Sequence, residues 1–236
     1  TEARKVRPNV SLIAWAAQFG VPLAVRMASP YVVTNVNVLG REPMGDQAVL
    51  AAAEHFSLHA SQRERMGRLL TTWDFGLSGV DLQEAVLTDA QESTRKVWVA
   101  FGRHRNRSAE FRLPFALESS GTQGAFVLLS RLLQALEIGG LAVIDEFEND
   151  LHPHMLEPIL DLFADPVTNP HRAQLLFTCH AMEVLNLIHK SQVMLVEKDA
   201  DCESSAIRMD AVEGIRNDDN FYAKYMAGAY GAVPAF

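Results

Sequence analysis

The sequence predicts an α/β protein: a parallel or mixed sheet covered by helices, accompanied by a helical subdomain and a β-hairpin insertion. Two observations carry this. From residue 119 onward, short continuous apolar runs alternate with helical patterns, the form taken by strands buried on both faces. Ahead of that, residues 9–73 repeat apolar residues at helical spacing, and residues 74–118 are rich in β-formers. The balance is that of an ordinary globular chain, 48% apolar and 21% charged over 236 residues. That length suits one large domain, or one domain with an insertion, and can bury a sizeable core.

Taken in order, Asn9 or Ser11 can cap a first helix through SLIAWAAQF, and Pro22 stands where a second can begin. The stretch DQAVLAAAEHFSLHASQRERMGRLLTTW keeps its charges opposite an apolar face, which favours structural work for this region. STRKVWVAF and SAEFRLPFA read as strands joined by GRHRNR, a hairpin whose tip carries Arg103, His104, Arg105 and Arg107. A solvated turn is the ordinary reading of that tip; phosphate contact with a nucleic acid is the functional one. A helix is expected over Thr122–Glu137, a strand over Leu141–Asp145 and a helix over Met155–Phe163. AQLLFTC then reads as a strand, MEVLNLIHK as a helix, and QVMLVEK and SSAIRMD as strands.

The totals exclude some functions. A net charge of −8 argues against a chain that coats nucleic acid through bulk charge, leaving only a local contact with DNA or RNA open. Cys179 and Cys202 lie in no metal-ligand spacing and read as reduced thiols of a cytosolic, hence cytoplasmic, protein. No apolar run reaches the ~18 residues of a membrane helix, so no membrane partner is expected.

The informative stretch is LAVIDEFENDLHP, residues 141–153. A buried strand holds whatever follows it rigidly at the carboxyl edge of a parallel sheet, where ligands bind. Asp145 there can hold a hard cation through its oxygens, and Glu146 can orient a water. Four apolar residues followed by Asp-Glu form the Walker B pattern of a nucleotide hydrolase. Upstream, Ser119 or Ser120 can cap a helix, and Gly121 lets backbone N–H groups approach a phosphate. Downstream, LLFTCH runs a second strand toward His180, one strand–helix–strand step beyond Asp145. If the two strands are neighbours, a neutral His180 can meet the γ-phosphate or the lytic water. The turn ENDLHP between them suits either a subunit interface or a helix cap.

The ordered set ESSGTQ, LAVIDE, ENDLHP and FTCH resembles the C-terminal half of ABC-type P-loop ATPase heads. More narrowly it is similar to bacterial defence-associated AAA/ABC-like ATPases, kin of SMC-like and OLD-type proteins. RPNVSLIAWAAQFG and YMAGAYGAVPAF look like that family at matching places. The resemblance implies a helical subdomain at 1–73, a β-rich connector at 74–118 and a C-terminal ATPase lobe at 119–236. It implies ATP and Mg²⁺ as cofactors, with Ser119, Ser120, Gly121 and Gln123 against a nucleotide held by a second copy. Asp145 would serve Mg²⁺, Glu146 would activate water, His180 would be the switch histidine, and Asp150 would sit in the D-loop of a homodimer. ATP binding would close the dimer and gate a partner effector, nuclease-like, in phage defence or DNA maintenance.

One departure is plain. No G-x-x-x-x-G-K-[ST] occurs in the 236 residues; GREPMG and GLSG lack its Lys-Ser/Thr pair. In the family resembled, that loop precedes a helical insertion. The expectation is that this sequence starts inside the insertion and hydrolyses little ATP alone, the P-loop lying elsewhere. The alternative is a catalytically degenerate head, a nucleotide-sensing or interaction module without turnover. A carboxylate–metal nuclease using Asp145, Glu146, Glu148 and Asp150 is a third reading. It is disfavoured because neighbouring side chains splay along the chain rather than converge.

Overall fold

A computed structural model describes residues 10–28, 32–73, 75–88, 94–149, 151–216 and 219–231, without the side chains of residues 26–28 and 88. The chain folds as two compact units: residues 1–145 with 162–177, and residues 146–161 with 178–236.

The first unit opens with α1 (Leu12–Gln18) and α2 (Pro22–Ala28). Ser11 is the cap of α1, its Oγ accepting from the Ala14 N–H at 3.3 Å; Asn9 lies outside the described residues. The expected helical stretch 9–73 is then interrupted. Val-Val-Thr, a β-branched run, forms β1 (Val32–Thr34), and a tight hairpin follows, β2 (Val36–Asn37) with β3 (Gly40–Arg41). Helicity resumes in α3 (Asp46–Leu58) and α4 (Ala60–Thr72). Helix α3 buries Val49, Ala52, Ala53 and Phe56, one stripe at helical spacing.

Strands β4 (Gly79–Thr88), β5 (Thr94–Arg105) and β6 (Glu110–Pro114) form an antiparallel meander. This corrects the basic tip. Arg103, His104 and Arg105 lie within β5, and only Arg107 belongs to the turn. Each strand residue meets an acid: Arg103 with Asp81 at 3.4 Å, His104 with Glu118 at 2.7 Å, Arg105 with Glu110 at 3.9 Å. Of the four residues, Arg107 alone stands in the turn, while the three in β5 are held beside neighbouring acids.

Helix α5 (Ser120–Ile138) is the axis of this unit. It buries eleven residues around its circumference, which a helix does only when elements pack on several sides. Phe126 lies between Phe56 and Phe115, with ring centroids 5.2 and 4.4 Å away. The helix stops at Gly139, whose φ of 69° is the left-handed conformation glycine accepts most readily; the Gly140 N–H returns to the Ala135 carbonyl at 2.9 Å. Strand β7 (Leu141–Ile144) follows, one residue shorter than expected. It pairs in parallel with β1 on one side and β8 (Gln174–Phe177) on the other. Ala142 and Ile144 are buried, whereas Val32 and Leu176 on the alternate face are half exposed.

Helix α6 (Leu156–Ala164) begins after a 3₁₀ turn at Pro153–Met155. In the second unit, MEVLNLIHK makes only a 3₁₀ turn at Met182–Asn186 rather than the expected α-helix. Strands β9 (Met194–Lys198) and β10 (Ser204–Arg208) pair with each other antiparallel as a separate ribbon, not as members of one mixed sheet. A small core of Leu185, Val193, Leu195, Met209, Phe221 and Tyr230 holds them with α7 (Phe221–Met226).

Candidate functional site

In the first unit, strand register decides where Asp145 goes. Residues 141, 142 and 143 pair with 32, 33 and 34, and Ile144 pairs with Phe177, so β7 and β8 are adjacent parallel strands. The neighbour condition on which the sequence argument depended is met. Beyond the last ladder pair, the Asn35 side chain takes over from the strand. Its Nδ2 donates to the Asp145 carbonyl, and its Oδ1 accepts from the Asp145 N–H, both at 2.8 Å. Asn35 is 8% exposed, so this amide is a buried substitute for a peptide group at one further step of the β1–β7 ladder. The sequence reading missed it; the only signal was an asparagine directly after a β-branched run.

The α5 N-terminus lies in the same unit. Ser119 is the cap: its Oγ accepts from the Thr122 N–H at 3.2 Å and meets the Thr122 hydroxyl at 2.8 Å. Ser120 is the first helical residue and is exposed, Gly121 is half-buried, and the Gln123 amide donates to the Glu118 carbonyl at 2.9 Å. A helix of 19 residues thus begins on Ser-Ser-Gly, with first-turn N–H groups and a positive dipole end that suit an anion.

The second unit carries the other half of the candidate chemistry. Glu146 has φ 49°, a left-handed conformation uncommon for a side chain other than Gly, Asn or Asp. Its N–H donates to Thr178 Oγ1 at 2.8 Å, and the Phe147 N–H donates to the Thr178 carbonyl at 3.0 Å. In return, the exposed His180 gives its backbone N–H to Glu148 Oε1 at 2.6 Å. Glu148 Oε2 is buried with no hydrogen-bond partner among the described residues. Burial pushes the Cys179 thiol up to about 12, and Glu148 adds to the rise, so Cys179 is a protonated thiol and no nucleophile at neutral pH. Asp150 lies outside the described residues. Within ENDLHP, His152 caps the Pro153–Met155 turn by accepting from the His154 N–H at 3.3 Å.

Among the described residues, no three His, Cys, Asp or Glu side chains converge as a metal cage. No helix among them is long and apolar enough to cross a membrane. Two hollows in the first unit, of about 410 and 200 Å³, are lined by residues such as Ala48, His55 and Arg131, or Gln62, Arg65 and His171. Neither includes a residue singled out from the sequence.

An α/β architecture with a parallel sheet whose central strand runs into Asp-Glu fits a P-loop NTPase-like fold. Residues 6–186, well over half of the chain, match the family described as "AAA domain, putative AbiEii toxin, Type IV TA system", and the chain belongs to that family. No curated protein matches it.

Proposed function

We propose that this chain is the part of an ABC-type ATPase head that carries the signature, Walker B and switch-histidine elements, and that it works as a homodimer closed by ATP. On this reading residues 1–73 form the helical subdomain, which lends β1 to the sheet of the catalytic lobe at 119–236, and 74–118 form the connector. The observation that carries the reading is the pair of hydrogen bonds from the Glu146 and Phe147 N–H groups to Thr178, in the turns that follow β7 and β8 along the chain. They join the turn holding the general base to the turn holding His180.

Roles follow from residue chemistry. Glu146 accepts a proton from the lytic water, and His180 hydrogen-bonds the γ-phosphate or that water. Ser119, Ser120, Gly121 and Gln123 offer the α5 N-terminus to a nucleotide bound by the second copy, and Asp150 lies at the dimer seam. Mg²⁺ keeps several waters and shares itself with substrate phosphates, so a single carboxylate at a strand end, Asp145, would serve as its protein ligand. When bound, that ion neutralises charge developing on the phosphates. The family's AbiEii description supports a toxin–antitoxin type of partner, and gating of a nuclease-like effector in phage defence is the fuller form of the same reading. A local nucleic-acid contact draws little on Arg103 and Arg105, which pair with Asp81 and Glu110.

A second reading, nucleotide sensing without turnover, would be favoured by a full-length gene that lacks any G-x-x-x-x-G-K-[ST]. The two separate in the full-length protein with Glu146→Gln. The ATPase reading expects Mg·ATP binding to persist, hydrolysis to fall by about 100-fold or more, and an ATP-trapped dimer to appear in light scattering. Wild-type turnover in that variant would remove Glu146 as the base. Gly121→Asp sets a carboxylate where phosphate is expected and should abolish the ATP-induced dimer; an unchanged dimer would refute the signature role.

A further inference from the structure

The two turns of the second unit are stitched in both directions. Thr178 receives the N–H groups of Glu146 and Phe147, and Glu148 receives the N–H of His180. The second stitch differs in kind from the first. It is charge-assisted and short, 2.6 Å from a backbone nitrogen to a carboxylate oxygen, and such bonds are about twice as strong as neutral ones. The other oxygen, Oε2, is buried without a hydrogen-bond partner among the described residues, and the Cys179 thiol interacts with the same carboxylate.

We propose that Glu148 is a positioning residue: through Oε1 it holds the backbone of His180 against the turn that begins at Glu146. This rests on the catalytic roles proposed for Glu146 and His180. An exposed histidine two residues beyond Thr178 has few other restraints, so the lost bond would leave its ring free to wander from the γ-phosphate. The requirement is first for an acceptor at the right reach; the charge strengthens the bond but does not set its geometry. Glutamine keeps both reach and a carbonyl acceptor while losing the charge; aspartate keeps the charge and falls one methylene short.

The test compares Glu148→Ala, Glu148→Asp and Glu148→Gln in the full-length protein, using amide hydrogen exchange at His180 and steady-state hydrolysis of Mg·ATP. Exchange at His180 should quicken about tenfold or more in the Ala and Asp variants and stay near wild type with Gln. The kcat should fall about tenfold in the first two with KM changed less than about threefold, and Gln should restore it. Unchanged His180 exchange in Glu148→Ala overturns the proposal. Rescue by Asp but not by Gln overturns it too, making charge the active property. Faster exchange with undiminished kcat confines Glu148 to loop structure. Turnover indifferent to Glu146→Gln, or none at all in the wild type, sinks the ATPase reading and the catalytic role built on it. The exchange data would then still report whether the bond holds the loop.

Discussion

Helix α5 and the segment 178–192 hold their shapes by opposite means. Helix α5 buries eleven side chains in 19 residues and needs one cap at each end. The segment 178–192 buries only Val184 and Leu185, with Met182 and Ile188 partly covered, and its two ends are fastened atom by atom. The Thr178 hydroxyl, the Glu148 carboxylate and the His189–Gln192 capping box each engage a backbone group. The difference teaches where precision comes from. Apolar packing places a whole element, whereas single hydrogen bonds place single residues, and the residues so placed are those proposed to do chemistry.

The largest test of that contrast is Phe126→Ala. It empties a ring-shaped space between Phe56 and Phe115 in a helix with no room to collapse, and should lower unfolding free energy by about 3–5 kcal/mol in urea titration. Met209→Ala, in the six-residue core of the second unit, should lose about 2–3 kcal/mol because a small cluster can close over the gap. A loss there as large as at Phe126 would erase the contrast. Gly139→Ala forces an ordinary residue to φ 69° with its methyl 2.5 Å from the His171 carbonyl oxygen, and should lower stability by about 2 kcal/mol. Ser119→Ala removes only the cap of α5, about 1 kcal/mol by the same titration. The smallest test is chemical. At pH 8 iodoacetamide should label the exposed Cys202 and spare Cys179, whose thiol is held far above that pH; two labels on the native protein by mass spectrometry would contradict its burial.

What sequence could deliver follows the same division. The residue pattern foretold α5 to within two residues at its start, because Ser119 caps, Gly139 stops and the apolar spacing between them leaves no alternative. Strand β7 and its neighbour β8 were equally plain as apolar runs entering polar residues. Strand β1 was hidden because three β-branched residues between helices give too short a pattern to register. MEVLNLIHK carries helical spacing and packs Met182, Leu185 and Ile188 on the second unit's core, yet it forms a 3₁₀ turn at Met182–Asn186 instead of an α-helix. The candidate residues Asp145, Glu146 and His180 were legible as the polar ends of strands. The φ of Glu146 and the supports from Asn35, Thr178 and Glu148 were not, since each depends on one side chain reaching a distant stretch of backbone.

Asn35 has one more effect. Because an amide side chain grips residue 145, the main chain is released to turn aside at once into the β2–β3 ribbon, whose tip carries Val38 and Leu39 almost wholly in solvent. Lengthening, shortening or rewriting that tip need not disturb the perch of the neighbouring carboxylate. Evolution is thereby handed a spot where variation is cheap, three residues away from a spot where it is not.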